Sequence, residues 1–370
     1  MAPASHRRLP RALALAPGLV LAWTVATFVA ARIVGVSGAG DAETPATTLT
    51  RALVIGLTVG LVSAWLETGP LARVGRRFPM GVALAVRTAA YALAVALGIV
   101  SIIGFVSWTE LGVSPLALLA EPEFRAFLRG GEVWLMLALL TAASFAINLG
   151  LQLRRVLGPE TLRALLLGRY RRPREEERVF LFLDLTDSTA IAERLGPLAF
   201  TDFKNDFFAD VAEPVLATGG RIVQYVGDEV MVAWPMAPAL ASGAPLRFFA
   251  LVEAQINARA ARYRQRHGVV PRFKAGCHGG PVVTAEVGDL KRDIVHSGDV
   301  VNTAARIEAE CRPRGHRLLV SQAIAEAMPL PDGFALVPLG PVGLRGKAAE
   351  VRICAVEREP APPEASGAVA

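Results

Sequence analysis

Thiols are scarce in this chain. Its 370 residues hold three cysteines, Cys277, Cys311 and Cys354, and none stands at metal-ligand spacing. An odd, sparse set excludes a disulfide framework and fits reduced, packed thiols in a cytoplasm. No Gly-x-x-x-x-Gly-Lys-Ser/Thr run occurs, which removes a P-loop kinase or ATPase. The net charge is +6, yet the arginine excess gathers at the N-terminus, in one short loop and around Arg154–Arg174. Basic residues interleaved with aromatics on one folded face are missing, so no nucleic-acid partner is expected. Charge itself is sparse until about Arg154 and dense thereafter. With a mean hydropathy of +0.42, this shift divides the chain into a membrane half and a soluble half.

Four apolar stretches fill the first half: about Ala12–Ala31, Ala52–Leu66, Thr88–Trp108 and Val133–Leu153. A spanning helix needs about 20 mainly apolar residues to cross roughly 30 Å of hydrocarbon. The pattern predicts an all-α transmembrane domain of about four helices over residues 1–153, seated in membrane lipid. The second stretch is the shortest and draws on Thr47–Thr50. Arg7, Arg8 and Arg11 resemble the start of a signal peptide, but no small-residue cleavage pattern closes the first stretch, and three more runs follow. Basic residues at that N-terminus, at Arg73, Arg76 and Arg77, and at Arg154 and Arg155 mark the cytoplasmic side. The other two loops lean acidic. An even number of crossings then puts both termini in the cytoplasm of a multi-pass protein of the cell (inner) membrane. Arg32 and Arg87 fall at predicted helix ends, where snorkelling to the interface is expected. Few polar residues within the spans argue against a transporter.

Residues 154–177 form a linker. Its run Arg169–Glu177 reads as a solvated, membrane-proximal face, with a coupling element as the alternative. From Arg178 to Glu357 the pattern is that of a soluble domain. Val179–Leu183 is a buried strand ending in Asp184. Helical spacing follows over Ser188–Leu195 and Phe200–Leu216. Arg221–Val226 and Glu229–Trp234 flank the turn Gly227-Asp228 as a hairpin. A long helix over Leu246–His267 precedes strands at Arg272–Cys277, Val282–Val287 and Arg292–Ser297, then a helix over Val300–Cys311. The order predicts an α+β fold, an antiparallel sheet with helices on one face. The Pro- and Ala-rich tail, 358–370, is expected to be disordered.

This layout brings two carboxylates together. Asp184 ends the first strand and Asp228 tips the neighbouring hairpin. Paired carboxylates suit Mg²⁺, a hard ion that shares oxygen ligands with substrate phosphates. Two ions about 3.5–4 Å apart can activate an attacking hydroxyl and stabilise a leaving oxygen. Each Asp alone reads as a strand-end turn former.

Phe182-Leu183-Asp184-Leu185-Thr186-Asp187-Ser188-Thr189 resembles the first metal motif of class III adenylate and guanylate cyclases. Gly219-Gly220 with Tyr225-Val226-Gly227-Asp228-Glu229 resembles the second. Gly298-Asp299-Val300-Val301-Asn302-Thr303-Ala304-Ala305-Arg306 resembles the family's Asn/Arg motif, and Leu344-Arg345-Gly346-Lys347 its late basic loop. The resemblance covers about Arg178 to Val356 and implies a ferredoxin-like catalytic domain. It implies that Asp184 and Asp228, with the backbone carbonyl of Leu185, hold two Mg²⁺ or Mn²⁺ ions per site. Asn302 then orients the ribose and Arg306 stabilises charge on the phosphoryl group. Positions i and i+4 share a helix face, so both reach one ligand. Arg345 stands where the family grips the terminal phosphates. The resemblance further implies a homodimer, with the metal aspartates of one copy facing the Asn/Arg pair of the other.

The purine-reading positions depart from both family patterns. Gln224 stands where adenylate cyclases commonly carry Lys, and Val295 where they carry Asp or Thr. Guanylate cyclases favour Glu and Cys there. Gln offers a donor and an acceptor to either purine, whereas Val295 offers contact alone. Resemblance to bacterial cyclases, mostly adenylate cyclases, favours ATP as substrate. The alternatives are a guanylate or mixed-specificity cyclase and an inactive nucleotide sensor. A diguanylate cyclase is excluded, because Val226-Gly227-Asp228-Glu229-Val230 is not its Gly-Gly-Asp/Glu-Glu-Phe hairpin.

Overall fold

A computed structural model describes residues 8–34, 45–69, 71, 78–110, 112, 114, 117, 120–290, 292–344 and 349–359. The chain divides into two units, with the boundary between Arg163 and Ala164.

The N-terminal unit is helical: α1 (Arg8–Val34), α2 (Pro45–Thr68), α3 (Met80–Glu110), the short α4 (Pro122–Arg129) and α5 (Gly131–Leu157). α6 (Pro159–Leu166) crosses the boundary. Among the described residues, three helices are long and apolar enough to cross a membrane, over Leu15–Arg32, Met80–Leu97 and Val133–Arg154. They fit a membrane domain. The expected count of four does not stand on the same footing, because the apolar part of α2 is only Ala52–Thr68. α2 nevertheless packs intimately on α1. A Cβ on Gly56 would lie 2.7 Å from Thr24 Cα, and one on Gly60 would lie 2.6 Å from Val20 Cα. The spacing is Gly-x-x-x-Gly, which lets two helix backbones approach where lipid gives no hydrophobic drive to associate.

Arg87 does not snorkel. α3 starts eight residues earlier than its apolar run suggested, so Arg87 lies within the helix and is fully buried. Its guanidinium donates to Glu67 Oε2 at 3.2 Å and to the Leu71 carbonyl at 2.9 Å. Tyr91 donates to Glu67 Oε1 at 2.9 Å. A carboxylate on α2 thus removes the reason for the arginine to seek the interface.

The second unit is built on an eight-stranded sheet: β1 (Arg174–Leu185), β2 (Arg221–Val226), β3 (Glu229–Pro235), β4 (Phe273–Val287), β5 (Asp293–Ser297), β6 (Leu318–Ser321), β7 (Phe334–Val342) and β8 (Val351–Arg358). The order is β2-β3-β1-β4-β6-β8-β7, with β5 pairing beside β6 on the far edge of β4. The sheet is not wholly antiparallel, since β4 and β6 run parallel. Between the strands lie α7 (Ser188–Leu195), α8 (Pro197–Ala217), α9 (Met236–Ser242), α10 (Ala244–Ala258), α11 (Ala260–His267), α12 (Asp299–Ala309), α13 (Cys311–Arg314) and α14 (Gln322–Glu326).

Period-two alternation sorts β1. Val179, Leu181, Leu183 and Leu185 enter the main core with Phe203 and Phe207 of α8 and Phe248 and Val252 of α10. Phe180 and Phe182 face the other way, onto Val300 and Ala304 of α12. Helices therefore cover both faces, not the one expected. α12 lies so close to β4 that a Cβ on Gly276 would meet Glu308 N at 2.1 Å.

Several element boundaries differ from the sequence reading, and β1 starts at Arg174, inside the expected linker, because Arg174–Arg178 pair with Gly280–Thr284 of β4. The long helix breaks at Arg259 (φ −105°, ψ 7°) into α10 and α11. The two strands expected around Gly279-Gly280-Pro281 are one, because Glu177–Val179 of β1 pair with them. Pro281 is tolerated where β4 has a strand on one side only. β8 continues to Arg358, and Glu359 N donates to the Gly333 carbonyl at 2.8 Å. The rest of the expected disordered tail lies outside the described residues. All three cysteines are free and buried. Burial pushes the Cys277 thiol far up and that of Cys311 to about 12, which keeps them unreactive packing groups.

Candidate active site

β1 carries Asp184 to the edge of its buried run. In register it stands opposite Glu229 of β3 and Lys274 of β4. The β2–β3 hairpin turns in two residues because Gly227 takes φ 62°, a left-handed conformation that glycine adopts without cost. That turn delivers Asp228 beside Asp184, and Lys204 Nζ of α8 steadies it with a 3.2 Å bond to the Gly227 carbonyl. After Leu185 the chain bends through Asp187, whose φ of 58° makes it the only non-glycine residue with positive φ among the described residues. The bend is fixed by Thr186 N donating to the Arg272 carbonyl at 2.8 Å.

Lys274 Nζ donates to Asp184 Oδ2 at 2.9 Å and to Glu308 of α12. One ammonium thus serves two carboxylates, with Asp228 and Glu229 close by. Burial raises the pKa of Asp184; Lys274 pulls it back, and the charge and hydrogen bond of Asp228 push it up again. Burial also raises Glu229, to about 7, aided by the charges of Glu308 and Asp184. Burial opposes the charge on Lys274, but its bonds to Glu308 and Asp184 raise its pKa overall. Such a surplus of hard oxygen donors fits a divalent cation. No group of three His, Cys, Asp or Glu among the described residues is arranged to hold a metal ion.

α12 carries Asn302 and Arg306 one turn apart, Asn302 exposed and Arg306 half-buried. Gln224 of β2 and Val295 of β5 are exposed. Arg345 lies outside the described residues. The structure brings Asp184, Leu185 and Asp228 into one place, and no hydrogen bond or ion pair among the described residues joins Gln224, Val295 or Asn302 to them.

His296 follows Val295 but faces inward. Its Nδ1 lies 2.9 Å from Thr284 Oγ1, and its ring stands edge-on to Phe180 at 5.5 Å. Burial, then the charges of Arg178 and Arg221, push its pKa down to about 4 against some support from Glu176. The unfolded chain therefore binds the extra proton between pH about 6.5 and about 4. The stability this group contributes is complete above that window and is lost as pH falls through it. Urea unfolding of residues 164–359 should lose on the order of 3 kcal/mol more across the window in the wild type than in His296→Gln. Equal slopes would show that the imidazole plays no part.

Lys274, Glu229 and Glu308 were missed by reading the sequence. A signal existed for Lys274: it is the lone charge in the apolar strand Phe273–Cys277. Only the register shows that it faces Asp184.

The model of the adenylate and guanylate cyclase catalytic domain matches residues 171–355. The chain belongs to that family. "Adenylate cyclase 2" of Rhizobium meliloti is 40% identical over 212 residues, which cover 57% of this chain and 58% of that protein. "Guanylate cyclase D" of Mus musculus is 30% identical over 209 residues, 54% of this chain and 18% of that one. This chain thus spans little more than half of the first relative and less than a fifth of the second. A bacterial light-regulated adenylyl cyclase shares the fold, with a TM-score of 0.51 at 19% identity over 60% of this chain and 65% of that one. The catalytic unit is accordingly a nucleotidyl cyclase domain, preceded by helices that fit a membrane domain.

Proposed function

We propose that the protein is a membrane-anchored adenylate cyclase that converts ATP to 3′,5′-cyclic AMP and pyrophosphate at a site shared by two copies of the chain. The observation that carries this is the carboxylate pair Asp184–Asp228, delivered side by side by a strand end and a glycine turn. The 40% identity to a protein named an adenylate cyclase supports ATP over GTP. Asp184, Asp228 and the Leu185 carbonyl would hold Mg²⁺ or Mn²⁺, two per site. When bound, such ions supply a lowered pKa at the ribose 3′-hydroxyl and positive charge at the phosphates.

The chain's own groups do the rest. Asn302 orients the ribose so that O3′ faces the α-phosphorus in line with the leaving oxygen. The O3′–P bond forms, the bond to the β-phosphate oxygen breaks, pyrophosphate leaves and the hydroxyl proton passes to solvent. Arg306 stabilises the charge that grows on the phosphoryl oxygens. Arg345 holds the terminal phosphates, and Gln224 and Val295 contact the purine. Exposure of Gln224, Val295 and Asn302 on the lone chain supports their service in the partner's half of the site.

Both termini lie in the cytoplasm on this reading, which requires α2 to cross with the other three helices. Its Gly-x-x-x-Gly packing against α1 supports that, and its apolar part is about 25 Å long at 1.5 Å per residue. Asn302→Ala and Arg306→Ala should each lower kcat by about a hundredfold or more, with KM moving only a few-fold. Steady-state kinetics on ATP checks this. A pure rise in KM would assign both residues to ground-state binding and remove their role in the chemistry.

A further inference from the structure

Most charges of the run Arg169–Glu177 are exposed, but Tyr170 and Glu176 within it turn inward. α6 closes on Gly168 (φ 61°), whose N donates to the Leu165 carbonyl at 3.2 Å, while Arg169 N donates to Ala164 O at 2.9 Å. The turn drops Tyr170 into the unit. Its ring is buried, packed with Ala164 and with Ile294 of β5. Its carbonyl accepts from Glu286 N of β4 at 2.9 Å, on a residue whose cross-strand partner is Ile294.

The Tyr170 hydroxyl donates to Glu176, 3.0 Å from Oε1 and 3.2 Å from Oε2. Glu176 collects four partners. Arg178 reaches Oε2 through Nε at 2.9 Å and Nη2 at 2.7 Å, Arg169 reaches Oε1 at 3.1 Å, and Thr284 Oγ1 reaches Oε2 at 3.3 Å. Burial works against this carboxylate, yet Arg178, Tyr170 and Arg169 hold its pKa below the usual value. Thr284 in turn meets His296. Tyr170, Glu176, Thr284 and His296 therefore form one bonded line from the entering chain, across β1 and β4, to β5. The line ends one residue from Val295 and three before α12, which carries Asn302 and Arg306. None of these four groups has a part in the chemistry above.

We propose that Tyr170 is a positioning residue: the chain entering the catalytic unit uses it to fix strand β5, and thereby sets how the site grips and discriminates its purine. The proposal rests on the assignment of Val295 to the purine. It gives whatever precedes residue 170 a route to the site, because unseating one tyrosine loosens the strand that meets the substrate.

The test uses the full chain in lipid nanodiscs. Tyr170→Phe removes only the hydroxyl. Thr284→Val, nearly isosteric, cuts the same line two bonds away without touching the tyrosine. Amide exchange of 292–297 should quicken by about fivefold in either variant, the scale of one lost buried hydrogen bond, while exchange of 319–321 in β6 stays as in the wild type. KM for ATP should rise by about threefold or more, the ATP-to-GTP ratio of kcat/KM should shift by a similar factor, and kcat should hold within about twofold. Unchanged exchange in β5 overturns the proposal. So does a loosened β5 with both nucleotides handled as before. A wild-type chain that converts neither nucleotide, while Tyr170→Phe still loosens β5, sinks the cyclase reading instead and leaves the seat standing.

Discussion

Asp184→Ala and Asp228→Ala should each cut cyclic-nucleotide formation by at least about a thousandfold, the upper scale for a single electrostatic contributor to a transition state. Folding should survive both changes. Lys274 retains Glu308 when Asp184 is gone. Asp228 raises the pKa of Asp184, Glu229 and Glu308, which means that it repels all three in the metal-free chain. Its removal should leave the melting temperature unchanged or higher, because a carboxylate held for function costs stability. Activity assays paired with thermal melts on each variant check both halves. Lost activity that tracks a lowered melting point would reduce the two aspartates to structural groups.

A mixture of two impaired chains should recover activity. On the proposed shared site, Asp184→Ala would spoil the half that holds the metal, and Arg306→Ala the half that meets the phosphoryl group. In a heterodimer of the two, one site carries both lesions and the other carries neither. Equal mixing makes half of the dimers heterodimers, so about one quarter of wild-type activity should return if copies exchange freely. Asp184→Ala alone should keep no more than about a thousandth of wild-type activity, and Arg306→Ala alone no more than about a hundredth, at any concentration. Recovery near zero in verified heterodimers would place all the groups of a site on one chain.

Much of the catalytic unit was legible because its elements are short and strongly patterned. Val179–Leu183 announced itself as a buried strand and Arg221–Val226 with Glu229–Trp234 as a hairpin, whose Gly227-Asp228 turn fixed where the second carboxylate falls. The errors share a physical origin in tertiary pairing. Gly279-Gly280-Pro281 carries every local mark of a chain break, but hydrogen bonds from β1 hold it as strand. Arg87 reads as a helix-end cation until Glu67, twenty residues earlier, is seen beside it. Glu176 sits in a run of three glutamates, and only side-chain alternation along β1 shows that it turns inward while Glu175 and Glu177 stay exposed. The site divided in the same way. The residues set by motif, Asp184, Asp228, Asn302 and Arg306, could be named from the sequence as candidates, whereas Lys274 and Glu308 meet through strand register and helix packing, which no spacing encodes.

The central claim, that this chain cyclises ATP on the Asp184–Asp228 pair, is tested most directly by its products. The full chain in nanodiscs would be incubated with Mn²⁺ and either ATP or GTP, with Asp184→Ala alongside. The account predicts 3′,5′-cyclic AMP and pyrophosphate in equal amounts from ATP, less product from GTP, and neither from the variant. Cyclic GMP in excess would contradict the choice of purine, and no cyclic nucleotide from a folded dimer would contradict the account itself.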